Sequence, residues 1–495
     1  MATPPYGHEG VHLPQHPTGP VRPSRGPAAT TGHRGKVFSR TGQGFRPTPW
    51  ASPPQPAAVS GPGHAGLIRQ GDVMGALSAF DKNSPHQLRE WLTLTGRKRV
   101  LVVAHTVTYI KRLQEVFSLL ESDLRVQVLF TAPPHPFGDG VAAFLHRLGS
   151  AVLPWEKAAR LDYDLALAAG PRGLGEISAP LITLPHGANY LKRIIEGTDP
   201  RVAGLGRPDI VPDGRCLPAA VVLPHRDDLH GLAQLCPEAL PVASVVGDPV
   251  HDRIVASLPR RPAYRRALGL RKGQKLVAVV STWGALSSFG SIEALLPRLI
   301  NELCGKGRRV ALLIHPNVWS GHGAWQVRAW LAQCRRYGIA VVPPEADWRS
   351  VLVAADWIIG DHGSVTLYGT LTRAPILLAS SPEREINPVS PAAALARTAP
   401  ALSPGHSLTS QLAYAAAEYA EHQGEEYAAI ASRITSEPGR FTRNMRRLMY
   451  RVLGLGQPAH PAVTRQLPLP PRLDSWCASD TGAGTDTDAD TEATA

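Results

Sequence analysis

The sequence predicts an α/β protein made of two doubly wound domains in tandem that face each other across a cleft, and three observations carry that prediction. Short β-branched runs alternate with helical segments between residues 97 and 455. The runs are continuously apolar rather than alternating, as expected for a parallel sheet covered by helices on both faces. The pattern also occurs twice, with a helix-rich bridge between the two series.

The first series begins at residues 99–104 (RVLVVA), followed by an amphipathic stretch at 109–120. Next come 125–130 (RVQVLF), a helix near 141–148, and strands at 164–168 (DLALA), 180–184 (PLITL), 219–223 (AAVVL) and 242–246 (VASVV). After the bridge at 251–270, the second series runs through 275–280 (KLVAVV), 309–314 (RVALLI), 339–342 (IAVV), 356–359 (DWII) and 375–379 (PILLA). Helices are expected at 291–303 and 348–355 between these strands. A last helical region, 411–453, is placed to fold back across the first domain. Open sheets of this type bind ligands beyond the carboxyl ends of their strands, so both series should aim those ends at the cleft.

Composition narrows the function. The 495 residues are 43% hydrophobic, enough for a sizeable core, and no apolar run is long enough to span a membrane. The N-terminus lacks the layout of a secretory signal. Cys216, Cys236, Cys304, Cys334 and Cys477 form no C-x-x-C pair, which argues against a zinc ribbon, a redox motif or a disulfide scaffold and fits a cytoplasmic setting. Residues 1–65 carry six Lys/Arg and one acid among many Pro, Gly and His, and are expected to be a disordered basic arm. Residues 478–495 carry five acids and no base, an acidic disordered tail. These ends cancel, so the formal net charge of +12 belongs to the middle. That suits phosphate-rich ligands or the anionic inner face of a membrane. No zinc finger, RNA-binding aromatic signature or basic helix with heptads is present, so no specific nucleic acid is expected.

Five strand ends carry polar clusters: Pro185-His186-Gly187-Ala188-Asn189-Tyr190-Leu191-Lys192, Gly247-Asp248-Pro249-Val250-His251-Asp252, Ser281-Thr282-Trp283-Gly284, His315-Pro316-Asn317, and Gly360-Asp361-His362-Gly363-Ser364. Gly363 and Ser364 lie at a strand-to-helix turn whose free N–H groups favour an anion, with Asp361 as a candidate helix cap. Ser287-Ser288-Phe289-Gly290-Ser291 is a second Gly/Ser loop before a helix. His186, beside a glycine that permits close approach and with Lys192 following, suits a base-plus-cation arrangement. Pro316 directs the chain after His315 away from helix.

Taken in order, these motifs resemble the CDP-glycerol glycerophosphotransferases of teichoic-acid synthesis, which have the GT-B fold. The resemblance lies in His186-Gly187 followed by Lys192, the junction segment 247–252, Thr282-Trp283, His315-Pro316 and the block 355–365 continuing to Ala374-Pro375-Ile376. It implies a Rossmann-like acceptor domain at 97–247, a Rossmann-like nucleotide-donor domain at 248–410 and C-terminal helices at 411–455. It implies further that His186 is the base acting on an acceptor hydroxyl, with Lys192 as charge support. His315 would be a second catalytic group, and Asp361, Gly363, Ser364, Thr282 and Ser288 would hold the donor. Three departures stand out: Ala188 replaces Thr, Gly284 replaces Arg, and Gly363 replaces Ser. Loss of that arginine leaves its phosphate contact to side chains such as Arg253 or Arg349. Tyr368-Gly369-Thr370 occupies the place of a ribose-binding acid.

The function so implied is transfer of a glycerophosphate or related sugar or polyol unit from a nucleotide-activated donor, such as CDP-glycerol, to a cell-envelope polymer or lipid-linked acceptor. The enzyme would be cytoplasmic and peripheral on the membrane. No cofactor is expected beyond the nucleotide-activated donor as substrate, and no metal ligands are nominated, since nothing resembles a dedicated Mg²⁺ carboxylate cluster; a metal requirement stays open. Two alternatives share the architecture: a nucleotide-sugar 2-epimerase, and a catalytically degenerate module, favoured by Gly284 and Ala188, that binds a ligand or partner.

Overall fold

Two parallel sheets, the first five strands of one ordered as the five of the other, build the fold in the computed structural model, which describes residues 93–477 apart from 171, 172, 189, 197 and 198. The basic arm and the acidic tail lie outside the described residues. The first sheet consists of β1 (Lys98–Val103), β2 (Val126–Thr131), β3 (Val152–Leu153), β4 (Leu165–Ala168), β5 (Leu181–Thr183), β8 (Pro218–Leu223) and β9 (Ala243–Val245). Its order is β3-β2-β1-β4-β5-β8-β9, all parallel. Between β5 and β8 stands an antiparallel hairpin, β6 (Arg193–Glu196) with β7 (Asp199–Val202), which the apolar pattern did not indicate. The second sheet contains β10 (Lys275–Ser281), β11 (Arg308–Ile314), β12 (Ala340–Val342), β13 (Trp357–Gly360) and β14 (Ile376–Leu378) in the order β12-β11-β10-β13-β14.

Each strand expected from an apolar run is present, within a residue or two at its ends. Helices cover both faces of each sheet. Helix Val107–Phe117 buries Val107, Ile110, Leu113 and Val116 against the first sheet, and helix Phe441–Val452 returns to the same core with Phe441, Met445, Leu448 and Met449. Burying such side chains contributes roughly 1.5–3 kcal/mol each.

The chain crosses from the first sheet to the second at 247–252 and returns before helix Phe441–Val452, and Asp252 ties these two crossings together. Its carboxylate accepts the backbone N–H groups of Gly439 (2.7 Å) and Phe441 (3.0 Å) on the returning segment. Asp248, four residues earlier, caps helix Pro249–Ser257 by accepting the N–H of His251 at 2.7 Å. The junction motif 247–252 is therefore the fold's fastening.

One expectation is corrected. Pro316 does not lead away from helix: it opens helix Pro316–His322, with His315 as its N-cap. Proline lacks an N–H that the first helical turn cannot use in any case, so this position suits it. Helices Ala324–Trp330 and Ala332–Arg336 follow before β12.

Candidate active site

Both sheets aim their carboxyl ends at one cavity of about 1250 Å³. Its walls include the loops after β1, β2, β4 and β5 on one side and after β10, β11, β12 and β13 on the other. His186, Lys192, Thr282, His315, Gly363 and Ser364 all line it. Sequence positions scattered over nearly two hundred residues thus meet in one place.

His186 reaches the cavity from the loop after β5. Its ring is open to the cavity interior yet enclosed by the cavity walls, and it stacks on Tyr109 with ring centroids 4.9 Å apart. That enclosure, reinforced by the charges of Arg112 and Lys192, lowers its pKa to about 4. It is therefore a neutral imidazole at pH 7, able to accept a proton.

The loop carrying His186 is held from behind. Arg112 donates from Nε to the Pro185 carbonyl (2.8 Å) and from Nη2 to the Gly187 carbonyl (2.7 Å). The same guanidinium pairs with Asp248 at 2.7 Å, and the Tyr368 hydroxyl donates to Asp248 at 2.8 Å. Arg112 and Asp248 are buried. This pair thus connects the first domain, the junction and the second domain behind His186. Sequence reasoning missed Arg112, for nothing in helix Val107–Phe117 distinguishes it from a surface arginine.

On the second domain, His315 Nδ1 accepts the N–H of Asn317 at 3.1 Å, which leaves Nε2 as the protonated nitrogen of the neutral ring. Burial, with His186 and Lys192 nearby, lowers its pKa to about 3. Ser364 opens helix Ser364–Tyr368, with Gly363 as N-cap. A Cβ on Gly363 would stand 2.9 Å from Thr282 Cβ, so a serine does not fit there without displacement.

Asp361 is placed differently from expectation. It is buried and does not line the main cavity, and Gly363 rather than Asp361 is the helix cap. Its carboxylate accepts the N–H groups of Thr282 (2.9 Å), Ser288 (2.9 Å) and Gly363 (3.0 Å). Asp361 therefore ties the loops after β10 and β13 together. Ser288 is also buried behind the wall, contributing its N–H to Asp361. With the Ser281 hydroxyl as a further donor at 3.4 Å, this carboxylate is occupied by the protein's own groups and shapes the loops beside the cavity without lining it.

The departures from the family pattern have structural causes. Ala188 is wholly buried in a core shared with Val250, Tyr368 and Ile386, so no site hydroxyl is lost there. Gly284 has a φ of +101°, a left-handed backbone that disfavours arginine. Arg253 and Arg349 do not take over the missing contact: both are bonded to Glu115, at 2.7 and 2.6 Å, and Arg349 also to Asp347. The cation at this place is Lys192, whose Nζ lies 4.6 Å from the Trp283 ring centroid. Burial foremost lowers the pKa of Lys192.

The sequence reading also passed over His105, Tyr109, Lys111 and His135, which line the same cavity. Lys111 Nζ donates to the carbonyls of Pro344 and Ala346, each at 2.6 Å, bridging the two walls. His105 stands just past the end of β1, so the strand-end rule that found His186 and His315 applies to it equally. Among the described residues, no group of His, Cys, Asp and Glu is arranged to hold a metal ion.

No protein-family model matches the chain, and no curated protein sequence matches it. Solved structures share its architecture. The wall teichoic acid polymerase TagF, soaked with CDPG, superposes with a TM-score of 0.50 at 12% identity, over 73% of this chain and 90% of that one. Anabaena HepE in complex with UDP-glucose aligns at a TM-score of 0.39 and 13% identity, over 72% of this chain and 98% of that one. A glycosyltransferase from Rickettsia africae aligns at 0.41 and 11% identity, over 72% and 99%. The fold is that of the two-domain GT-B proteins.

Proposed function

We propose that this chain is a transferase that moves a glycerophosphate or glycosyl unit from a nucleotide-activated donor to an acceptor hydroxyl. CDP-glycerol is the leading donor candidate. One observation carries the reading: the neutral imidazole of His186, on the first domain, faces Thr282, His315 and Ser364 of the second across a shared cavity. Group transfer needs a base at the attacking oxygen and donors around the departing nucleotide phosphate, CMP for a glycerophosphate and a nucleoside diphosphate for a glycosyl unit, and those requirements fall on opposite walls. His186 takes the acceptor proton. Ser364 and Thr282 offer hydroxyl donors, His315 an Nε2–H, and Lys192 a cation to the developing charge. The acceptor bond to phosphorus or the anomeric carbon forms as the bond to the nucleotide oxygen breaks.

The TagF likeness in fold, with CDPG soaked into that protein, agrees with a nucleotide-activated donor. Contact with an anionic membrane surface belongs to the same reading, because the acceptor would be a cell-envelope polymer or lipid-linked molecule. The burial of Ala188 and the positive φ of Gly284 account for those two departures in terms of packing and backbone. A thermal-shift panel of CDP-glycerol, CDP-ribitol, UDP- and GDP-sugars tests the donor class. His186→Ala should then abolish turnover, by about 10²–10⁴-fold, while leaving donor binding intact. No stabilisation by any nucleotide at millimolar concentration would refute the reading.

A further inference from the structure

We infer that the first domain carries its own oxyanion subsite, formed by His105, Thr108 and His135 at the N-terminus of helix Val107–Phe117, and that it takes a phosphoryl group. The transferase reading enters only in deciding which substrate brings that phosphoryl.

Topology places the site. The first five strands of the first sheet run β3-β2-β1-β4-β5, and the second sheet runs β12-β11-β10-β13-β14. In each, the strand order reverses beside the central strand, which is where doubly wound sheets open a ligand crevice. Thr282 stands at that point in the second sheet, directly after β10. His105 is its counterpart in the first, two residues beyond β1.

Unused polar atoms mark the same spot. His105 is 8% exposed and lines the cavity, yet its Nδ1 has no hydrogen-bond partner. Thr108 also lines the cavity, and its hydroxyl has none either. Buried polar groups left unpaired are costly, so such a pair at a cavity wall signals a missing ligand. The eleven-residue helix that starts here, capped by Thr106, adds its own positive end.

Charge decides what kind of ligand. The His135 ring lies 5.8 Å from the His105 ring and accepts the Phe137 N–H on Nδ1 at 3.1 Å. His135 is the titratable group that acts on His105, and no carboxylate does so. Two imidazoles, a hydroxyl and a helix N-terminus, with no carboxylate among the described residues acting on His105, suit a many-oxygened anion rather than a cation.

The site is also in register with the chemistry. Tyr109 spans the two, its ring 5.8 Å from His105 and 4.9 Å from His186. A phosphoryl at His105 would therefore lie one aromatic ring away from the base. The donor's transferred phosphoryl is already part of CDP, so a phosphoryl that binds beside CDP belongs to the acceptor.

The experiment titrates inorganic phosphate and glycerol 3-phosphate against the full chain by thermal shift, with and without saturating CDP. Phosphate should still bind in the presence of CDP. His105→Gln and Thr108→Val should each weaken that binding at least tenfold and leave CDP affinity within twofold, whereas Ser364→Ala should do the reverse. Glycerol 3-phosphate binding alongside CDP-glycerol would identify the acceptor as the source; its exclusion by CDP-glycerol but not by CDP would show the donor's glycerol end filling the subsite and would overturn the phosphoryl assignment. Phosphate affinity unchanged in both first-domain variants, or lost in Ser364→Ala, or no phosphate binding to the CDP-loaded chain, would overturn the subsite. Thr108→Val decides the matter if His105→Gln fails to fold. If wild type binds phosphate but neither CDP nor CDP-glycerol, the transferase reading fails and the variants still judge the subsite.

Discussion

Gly187 and Ser364 meet across the cavity, so closely that a Cβ on Gly187 would stand 2.3 Å from Ser364 Oγ. The residue beside the proposed base thus touches the residue that opens the anion-binding turn. Gly187→Ala should push the Ser364 hydroxyl out of position. Donor binding should weaken about tenfold, the worth of one hydrogen bond to a charged group. Because both changes act on the same hydroxyl, Gly187→Ala/Ser364→Ala should bind no worse than Ser364→Ala alone. Additive losses would show that the contact is not what Gly187 protects.

Arg112 offers a separate test of how His186 is held. Arg112→Met leaves the Asp248 carboxylate buried without its partner and should cost about 3–5 kcal/mol in denaturant melts. Arg112→Lys keeps a cation for Asp248 but loses the fork that grips the carbonyls of Pro185 and Gly187. It should fold, retain the donor KM, and lose about 10–100-fold in kcat through misplacement of the base. Equal losses in kcat and donor affinity would assign Arg112 to general stability instead.

Much of this molecule could be read from its sequence, for identifiable reasons. A parallel sheet buries both faces of its strands, so β1, β10 and β11 stand out as apolar runs. Strand ends face the ligand, so His186, His315, Thr282 and Ser364 could be nominated without a structure. The hairpin β6–β7 was hidden because its residues, including Arg193, Glu196 and Asp199, lack an apolar pattern. Asp361 was misassigned because its three N–H partners are brought together only by folding. Arg112 was invisible for the same reason: its acceptors are backbone carbonyls 73 and 75 residues away. Gly284 looked like a lost arginine until its positive φ supplied a backbone reason for glycine.

The lowered histidine pKa values fix the direction of the pH response. His105 and His186 are brought down to about 4 and His315 to about 3, burial being the largest cause for each. The unfolded chain takes up these protons near the ordinary value of 6.5, before the folded chain does. Stability should therefore be full above pH 6.5 and fall as pH drops toward 4, with His105 accounting for up to about 3 kcal/mol. His105→Gln should flatten that slope in melts at pH 7, 6 and 5. An anionic ligand favours the protonated rings, so CDP should bind more tightly as pH falls and take up protons on binding. Calorimetry in buffers of different ionisation enthalpy reads this directly, and proton release would contradict it.

Under the proposed function, residues 325–337 of the second domain are the stretch expected to meet an anionic bilayer. Trp325 is 76% exposed, with Trp330 at 47% and Tyr337 at 50% on the same short helical stretch. Arg328, Arg335 and Arg336 accompany them, and no acid occurs from residue 303 to residue 344. Tryptophan and tyrosine favour the headgroup level, and each nearby Lys or Arg adds about 1 kcal/mol toward anionic lipid. This stretch continues from helix Pro316–His322, whose N-cap His315 lines the cavity, so a lipid-linked acceptor on that membrane would be near the site. The full chain should co-sediment with phosphatidylglycerol-containing vesicles and not with pure phosphatidylcholine. Trp325→Ala/Trp330→Ala should reduce binding severalfold, and salt should weaken what remains, since the arginine term is screened while the aromatic term is not. Binding that survives the double substitution unchanged would move the contact to another basic part of the chain.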